Sequence, residues 1–161
     1  MAKLIVRSGK IAAGKTTLSR ELAARENAIL LVQDDFLTAL CPGDILDIPD
    51  FVRCSSRLRD AFSSHICALL ARGMSVVLDF PGNTKKQRAW FRMLFEQADV
   101  AHELHFIDVS DDVCKRQLKD RSKHPLAGSP WTTDAEFDAI TAYFEAPAAE
   151  EHFNIIRHAP A

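Results

Sequence analysis

The segment Gly9-Lys10-Ile11-Ala12-Ala13-Gly14-Lys15-Thr16 satisfies the pattern G-x-x-x-x-G-K-[ST] in full. Those residue types at that spacing are suited to holding phosphate. Glycine at the two bends lets the main chain approach an anion closely, and backbone N–H groups of Gly9, Ala12, Ala13 and Gly14 can encircle it. Lys15 would reach the β- and γ-phosphates and Thr16 would offer its hydroxyl to Mg2+. Thr17 continues into the helix that follows and is grouped with the nucleotide-facing residues. The competing interpretation is a glycine-containing turn with an exposed lysine and a helix-capping threonine. It does not need the whole pattern in a strand-turn-helix setting, so ATP with Mg2+ is the expected ligand pair. The guanine-reading N-K-x-D signal is absent from the chain.

Phosphoryl transfer needs more than a phosphate cradle, and the polar residues that close the other apolar runs are the candidates. Open α/β sheets bind ligands at the carboxyl ends of their strands. There the second apolar run delivers Asp34 and Asp35, the third Asp79 and the fourth Asp108. Neighbouring strand residues point to opposite sides, so one of Asp34 and Asp35 is expected to face the γ-phosphate and take the proton of an acceptor hydroxyl. The other would cap the following turn or stand on the acceptor side. Asp79 could meet Mg2+, directly or through water, or could cap the turn "PGNT". Among the cations, Arg57 and Arg88 are acceptor-side candidates. Arg116 and Arg121 flank a loop that could fold over the phosphates. Lys10 reads as a solvated loop residue.

These groups have to be positioned by elements, and the hydropathy pattern supplies them. "KLIVR", "AILLV", "SVVLDF", "ELHFIDV" and "FNIIRH" read as short strands. Between them lie helical patterns from Thr16 to about Arg25, Ser55 to Arg72, Lys85 to about Gln97 and Ser110 to Arg121. Thr84 with Gln87 predicts a capping box, and Ser110 an N-cap. Residues 41–50 read as a loop, and 122–132 as a short lid before a further helix from Thr133. Strands that are apolar throughout and alternate with helices predict a parallel sheet covered on both faces.

Length and composition set the outer limits. With 161 residues, 47% apolar and 26% charged, the chain is expected to form one domain over 1–161. A formal charge of −2 gives no drive toward nucleic acid or an anionic membrane surface. The cysteines at 41, 54, 67 and 114 show no metal-ligand spacing and suggest reduced thiols in a cytoplasmic protein. The start of the chain lacks a long apolar stretch, so neither secretion nor membrane insertion is expected.

The runs "GKIAAGKTTLSRELA", "QDDFLTAL", "SSRLRDAF", "VVLDFPGNTKKQRAWFRMLFEQA", "LHFIDVSDDVCKRQLKDR" and "TTDAEFDAITAYFEAPAAEEHFNII" together resemble small bacterial AAA-type ATP-binding proteins of the P-loop kinase class. Zeta toxins and chloramphenicol phosphotransferase are relatives of that class. The resemblance implies a P-loop NTPase fold of nucleoside-monophosphate-kinase-like type, α/β, with a five-stranded parallel sheet and helices on both faces. It implies that Asp34 is the acid/base residue, that Asp79 is the strand-end carboxylate, that Arg116 lies against the nucleotide base and that Arg121 is the lid arginine. A monomeric or homodimeric kinase acting on a hydroxyl of a small molecule is the activity that follows. The alternative is a nucleotide-binding regulatory or switch module with weak ATPase activity.

Overall fold

The computed structural model describes residues 1–10, 15–122, 138, 139 and 141–158; for Lys15 and residues 118–122 only the backbone enters the description. Strands β1 (Lys3–Gly9), β2 (Ile29–Val32), β3 (Val76–Asp79), β4 (Ala101–Ile107) and β5 (Ile155–His158) pair into one sheet of order β2-β3-β1-β4-β5. Every pairing is parallel, as the alternation of strands with helices predicts. This order sets β1 at the centre, with β3 and β4 on either side of the strand that ends at Gly9, the first residue of the phosphate-loop sequence.

The helices are α1 (Lys15–Arg25), α2 (Gln33–Leu40), α3 (Ile48–Ala71), α4 (Lys85–Ala98) and α5 (Asp111–Ser122). The period of two along β1 divides the core. Ile5 packs with Val77 and the α1 residues Leu22 and Ala23. Leu4 and Val6 face the other way, into a larger core with Leu58 and Ile66 of α3 and Phe91 and Leu94 of α4. A smaller cluster of Ile107, Val109 and Cys114 joins the start of α5 to Leu18 of α1. Among the described residues no helix is long and apolar enough to cross a membrane.

Local chemistry fixes the helix boundaries. Asp47 caps α3 by accepting from the Asp50 N–H at 2.8 Å, so the helix starts at Ile48, well before the predicted Ser55. It ends at Ala71, after which Gly73 takes a φ of 85°. The capping box of α4 forms as predicted. The Gln87 N–H donates to Thr84 Oγ1 at 3.1 Å, while Gln87 Oε1 accepts from the Thr84 N–H at 3.2 Å and the Asn83 N–H at 2.8 Å. Ser110 Oγ accepts the Val113 N–H at 3.4 Å at the start of α5.

The unpredicted element is α2. It follows β2 with no intervening loop, and its N-cap position, Val32, makes no side-chain cap. Asp34 and Asp35 therefore occupy the first turn of a helix and not the end of a strand. The expectation of opposite strand faces is corrected: consecutive helical residues diverge by about 100°, and both aspartates are exposed. Their charge favours this helix start electrostatically.

Candidate functional site

The site candidates gather at the carboxyl edge of the sheet, where β1 runs into the phosphate loop and α1 resumes the chain at Lys15. Residues 11–14, which include Ala12, Ala13 and Gly14, lie outside the described residues, as does the side chain of Lys15. The anchors on either side of the loop are described. Gly9 closes β1, its N–H donating to Asn83 Oδ1 in the turn after β3 at 3.1 Å. Thr16 is half-buried and Thr17 exposed in the first turn of α1. Lys10 is paired with Asp111 of α5 at 2.6 Å, a partner for the residue read as solvated.

Asp79 ends β3 beside this loop and is almost wholly buried. Its Oδ1 is in contact with the Arg7 guanidinium, which also donates from Nε to Ser19 Oγ of α1 at 2.9 Å. The turn-capping alternative for Asp79 is thereby replaced by a buried ion pair with the central strand. Burial pushes Arg7 below its ordinary pKa, and the nearby Asp34 charge works in the opposite sense. Among the described residues Asp79 Oδ2 and Arg7 Nη1 are buried without a hydrogen-bond partner. An orphaned carboxylate oxygen is a suitable donor for a hard cation such as Mg2+, and Thr16 can supply a neutral oxygen, so the residues present fit the metal.

The turn after β3 is packed against the same strand. A Cβ at Gly82 would come within 2.4 Å of the Arg7 carbonyl oxygen and 2.7 Å of the Phe91 ring, so only glycine allows this approach. Arg88 then closes the region from below. Expected on the acceptor side, it is instead fully buried. Its Nε and Nη2 bind the Glu151 carboxylate at 2.7 and 3.0 Å. Nη1 donates to the carbonyls of Gly82 at 3.0 Å and Glu145 at 2.7 Å, and Nη2 also reaches that of Ala146 at 3.4 Å. All five guanidinium donors are thus used within the protein, and the acceptor-side assignment of Arg88 is corrected to a structural one.

Asp34 lines an open cleft of about 610 Å³ between α2 and the start of α3, together with Leu37, Thr38, Cys41, Ile45, Phe51 and the Pro42-Gly43 turn. Cys41 is held as the thiol, its pKa raised by a hydrogen bond with Cys54 and by burial. Asp35 is exposed on the same turn as Asp34 but is not among the residues that line the cleft. Arg57 is exposed on α3, near enough to the Cys41 thiol to act on it through its charge. Arg116 is exposed on α5, whereas the Arg121 side chain and residues 123–132 of the expected lid lie outside the described residues.

Sequence reasoning singles out Asp34 and Asp79 as candidates but misses the side chain that pairs with Asp79. Arg7 was visible only as a charged residue ending an otherwise apolar run. Asn83 was read as part of a turn, although it tethers the phosphate loop. The cleft residues come from α2, from the segment 41–50 read as a loop, where the apolar Ile45 was the available signal, and from Phe51 in the first turn of α3.

Comparison with known proteins places this geometry. The sequence profile described as "AAA domain" matches residues 4–147. No curated protein matches the chain in sequence. Among solved structures, a presumed kinase of Chloroflexus aurantiacus superposes with a TM-score of 0.74 at 20% identity, covering 98% of this chain and 85% of that one. A gluconokinase of Sinorhizobium meliloti gives 0.63 at 16%, with 98% and 82% covered. The APS kinase CysC of Mycobacterium tuberculosis, solved with AMPPNP and APS, gives 0.61 at 19%, with 99% and 88% covered. At these identities the likeness is one of fold, and the fold is that of a small P-loop kinase.

Proposed function

The chain belongs to the AAA domain family, matched over residues 4–147, and from that premise we propose that it is an ATP-dependent kinase that phosphorylates a hydroxyl of a small molecule. One observation carries the reading. The complete phosphate-loop sequence joins β1 to α1 at the centre of the sheet, and the carboxylate of Asp34 stands in a cleft beside the same edge. The kinase names among the structural neighbours agree with this choice.

In this reading backbone N–H groups of Gly9, Ala12, Ala13 and Gly14, with the start of α1, receive the β- and γ-phosphates, and Lys15 neutralises their charge. Asp34 orients the acceptor hydroxyl and accepts its proton. The hydroxyl oxygen forms a new bond to the γ-phosphorus, the bond to the bridging oxygen breaks, and ADP departs with that electron pair. Mg2+, when bound, would offset charge on the phosphates, held by Thr16 and by the Asp79 oxygen that Arg7 leaves free. Arg116 and Arg121 complete the proposal as contacts to the base and to the phosphates. Asp35 and Arg57 are the acceptor-side residues that remain after Arg88 is assigned to the scaffold.

The test pairs binding with transfer. Calorimetry with ATP and magnesium should give a measurable affinity that Lys15→Ala removes. Transfer of labelled γ-phosphate to a panel of hydroxyl compounds should fall by about 10²- to 10⁴-fold in Asp34→Asn, the usual worth of a general base, with ATP affinity retained. Tight ATP binding with no acceptor modified across the panel would sink the proposal.

A further inference from the structure

The cleft beside Asp34 has a composition that restricts what it can take. Leu37, Ile45 and Phe51 form its apolar wall, Cys41 adds a neutral thiol, and Thr38 is its one hydroxyl among the lining residues. Among the described residues that line it, Asp34 is the only charged one. The chain around these residues is apolar as well: Leu40, Leu46, Ile48 and Val52, neighbours of the lining residues in sequence, are 64, 84, 66 and 54% exposed. Four large exposed apolar residues within one short stretch are a concentration, whereas such residues scattered singly would need no explanation.

The surrounding charges work against an anionic guest. Asp34 and Asp35 lead α2, and Asp44 and Asp47 are exposed on the segment that forms the other side. Of the nearby cations, Arg53 is bound to Asp50 at 2.8 Å. Arg57 is exposed on α3, and neither it nor Arg7 is among the lining residues, so a carboxylate or phosphate would enter an apolar, acid-fronted cleft with no cation in its described walls.

We infer that the cleft takes an uncharged molecule that carries a hydroxyl on an apolar body, such as an alicyclic or aromatic alcohol, and presents that hydroxyl to Asp34. Sugar acids, nucleotides and polyols are poor matches for these walls. An open cleft of about 610 Å³ has room for a compact organic molecule of this kind. The inference rests on the kinase reading only for what happens to the hydroxyl; the class of ligand follows from the walls.

Methyl-labelled full-length protein, titrated separately with 2-phenylethanol, glucose and gluconate, separates the possibilities. The methyl resonances of Leu37 and Ile45 should move with 2-phenylethanol and stay in place with the other two. Ile45→Lys, a change at a half-buried position outside the helices, should weaken 2-phenylethanol binding by about tenfold or more by setting a charge in the wall. Shifts with gluconate or glucose but not with the alcohol would overturn the inference. So would a response confined to Leu46, Ile48 and Val52 that grows with protein concentration, since these residues would then form a contact between copies. Phosphoryl transfer to the bound alcohol is read separately. Saturating binding of the alcohol, with no transfer to it or to any member of the hydroxyl panel, rejects the kinase reading while leaving the ligand class standing.

Discussion

Asp79 shows how a residue that is easy to find in the sequence can be hard to interpret. It reads as a strand-end carboxylate, and its position beside the phosphate loop agrees with that. What the sequence hides is Arg7, because pairing between β1 and β3 is a tertiary event and a lone arginine at the end of "LIVR" looks like the exit from a strand. Once paired, the two charges depend on each other inside the sheet. Asp79→Ala would strand the Arg7 charge and should cost about 3–5 kcal/mol in a urea titration. The double change Arg7→Met with Asp79→Leu should recover most of that loss, because apolar replacements of a buried pair are often neutral or better. Magnesium-dependent transfer should stay low in the double variant. Recovery of transfer along with stability would show that Asp79 serves the scaffold alone.

At the scale of elements, the parts with local signals were legible and those set by tertiary contact were not. The capping box of α4 is written in four consecutive residues, Thr84 to Gln87, and forms as read. The helix α2 has no such signature: Val32 offers no cap, and eight residues carry too little periodicity to separate a short helix from a turn. Its consequence is positional, since it puts Asp34 on a helix that also forms the cleft wall. The turn at Gly82 belongs to the same class, because its need for glycine comes from the Arg7 carbonyl of another strand. Gly82→Ala should lower stability by about 1–3 kcal/mol through the forced shift of backbone, measured as a fall in the unfolding midpoint. That carbonyl lies two residues before Gly9, which Asn83 also holds. ATP affinity should therefore fall in Gly82→Ala, whereas Thr84→Ala, which removes a cap farther along, should cost about 0.5–2 kcal/mol and leave affinity nearly intact.

Across the whole molecule, Arg88 joins what the chain order keeps apart. It ties the turn after β3 to the segment that leads into β5, and Glu145 adds a second tie by accepting the Lys85 N–H at 3.2 Å. This role was illegible because a helical arginine one turn from a strand end looks the same whether it faces a ligand or a distant carboxylate. The clamp has a pH signature. Burial opposes the Glu151 carboxylate, but Arg88, the Ala148 N–H and Lys85 outweigh it and hold its pKa below the ordinary 4.5. Its stabilising contribution is thus complete above pH 4.5 and lost as pH falls through the lower folded value. His102 and His158 act in an earlier window. Burial lowers both from 6.5, so the unfolded chain binds protons first and stability declines as pH falls from about that value. The melting temperature should therefore drop in two stages on acidification, one beginning near pH 6.5 and one below 4.5. Glu151→Gln should flatten the lower stage and leave the upper one unchanged. Arg88→Met should destabilise at neutral pH by about 3–5 kcal/mol, as expected for breaking a buried pair from one side, and should also flatten the lower stage. A lower stage of undiminished size in both variants would mean that other carboxylates, and not this clamp, govern the acid response.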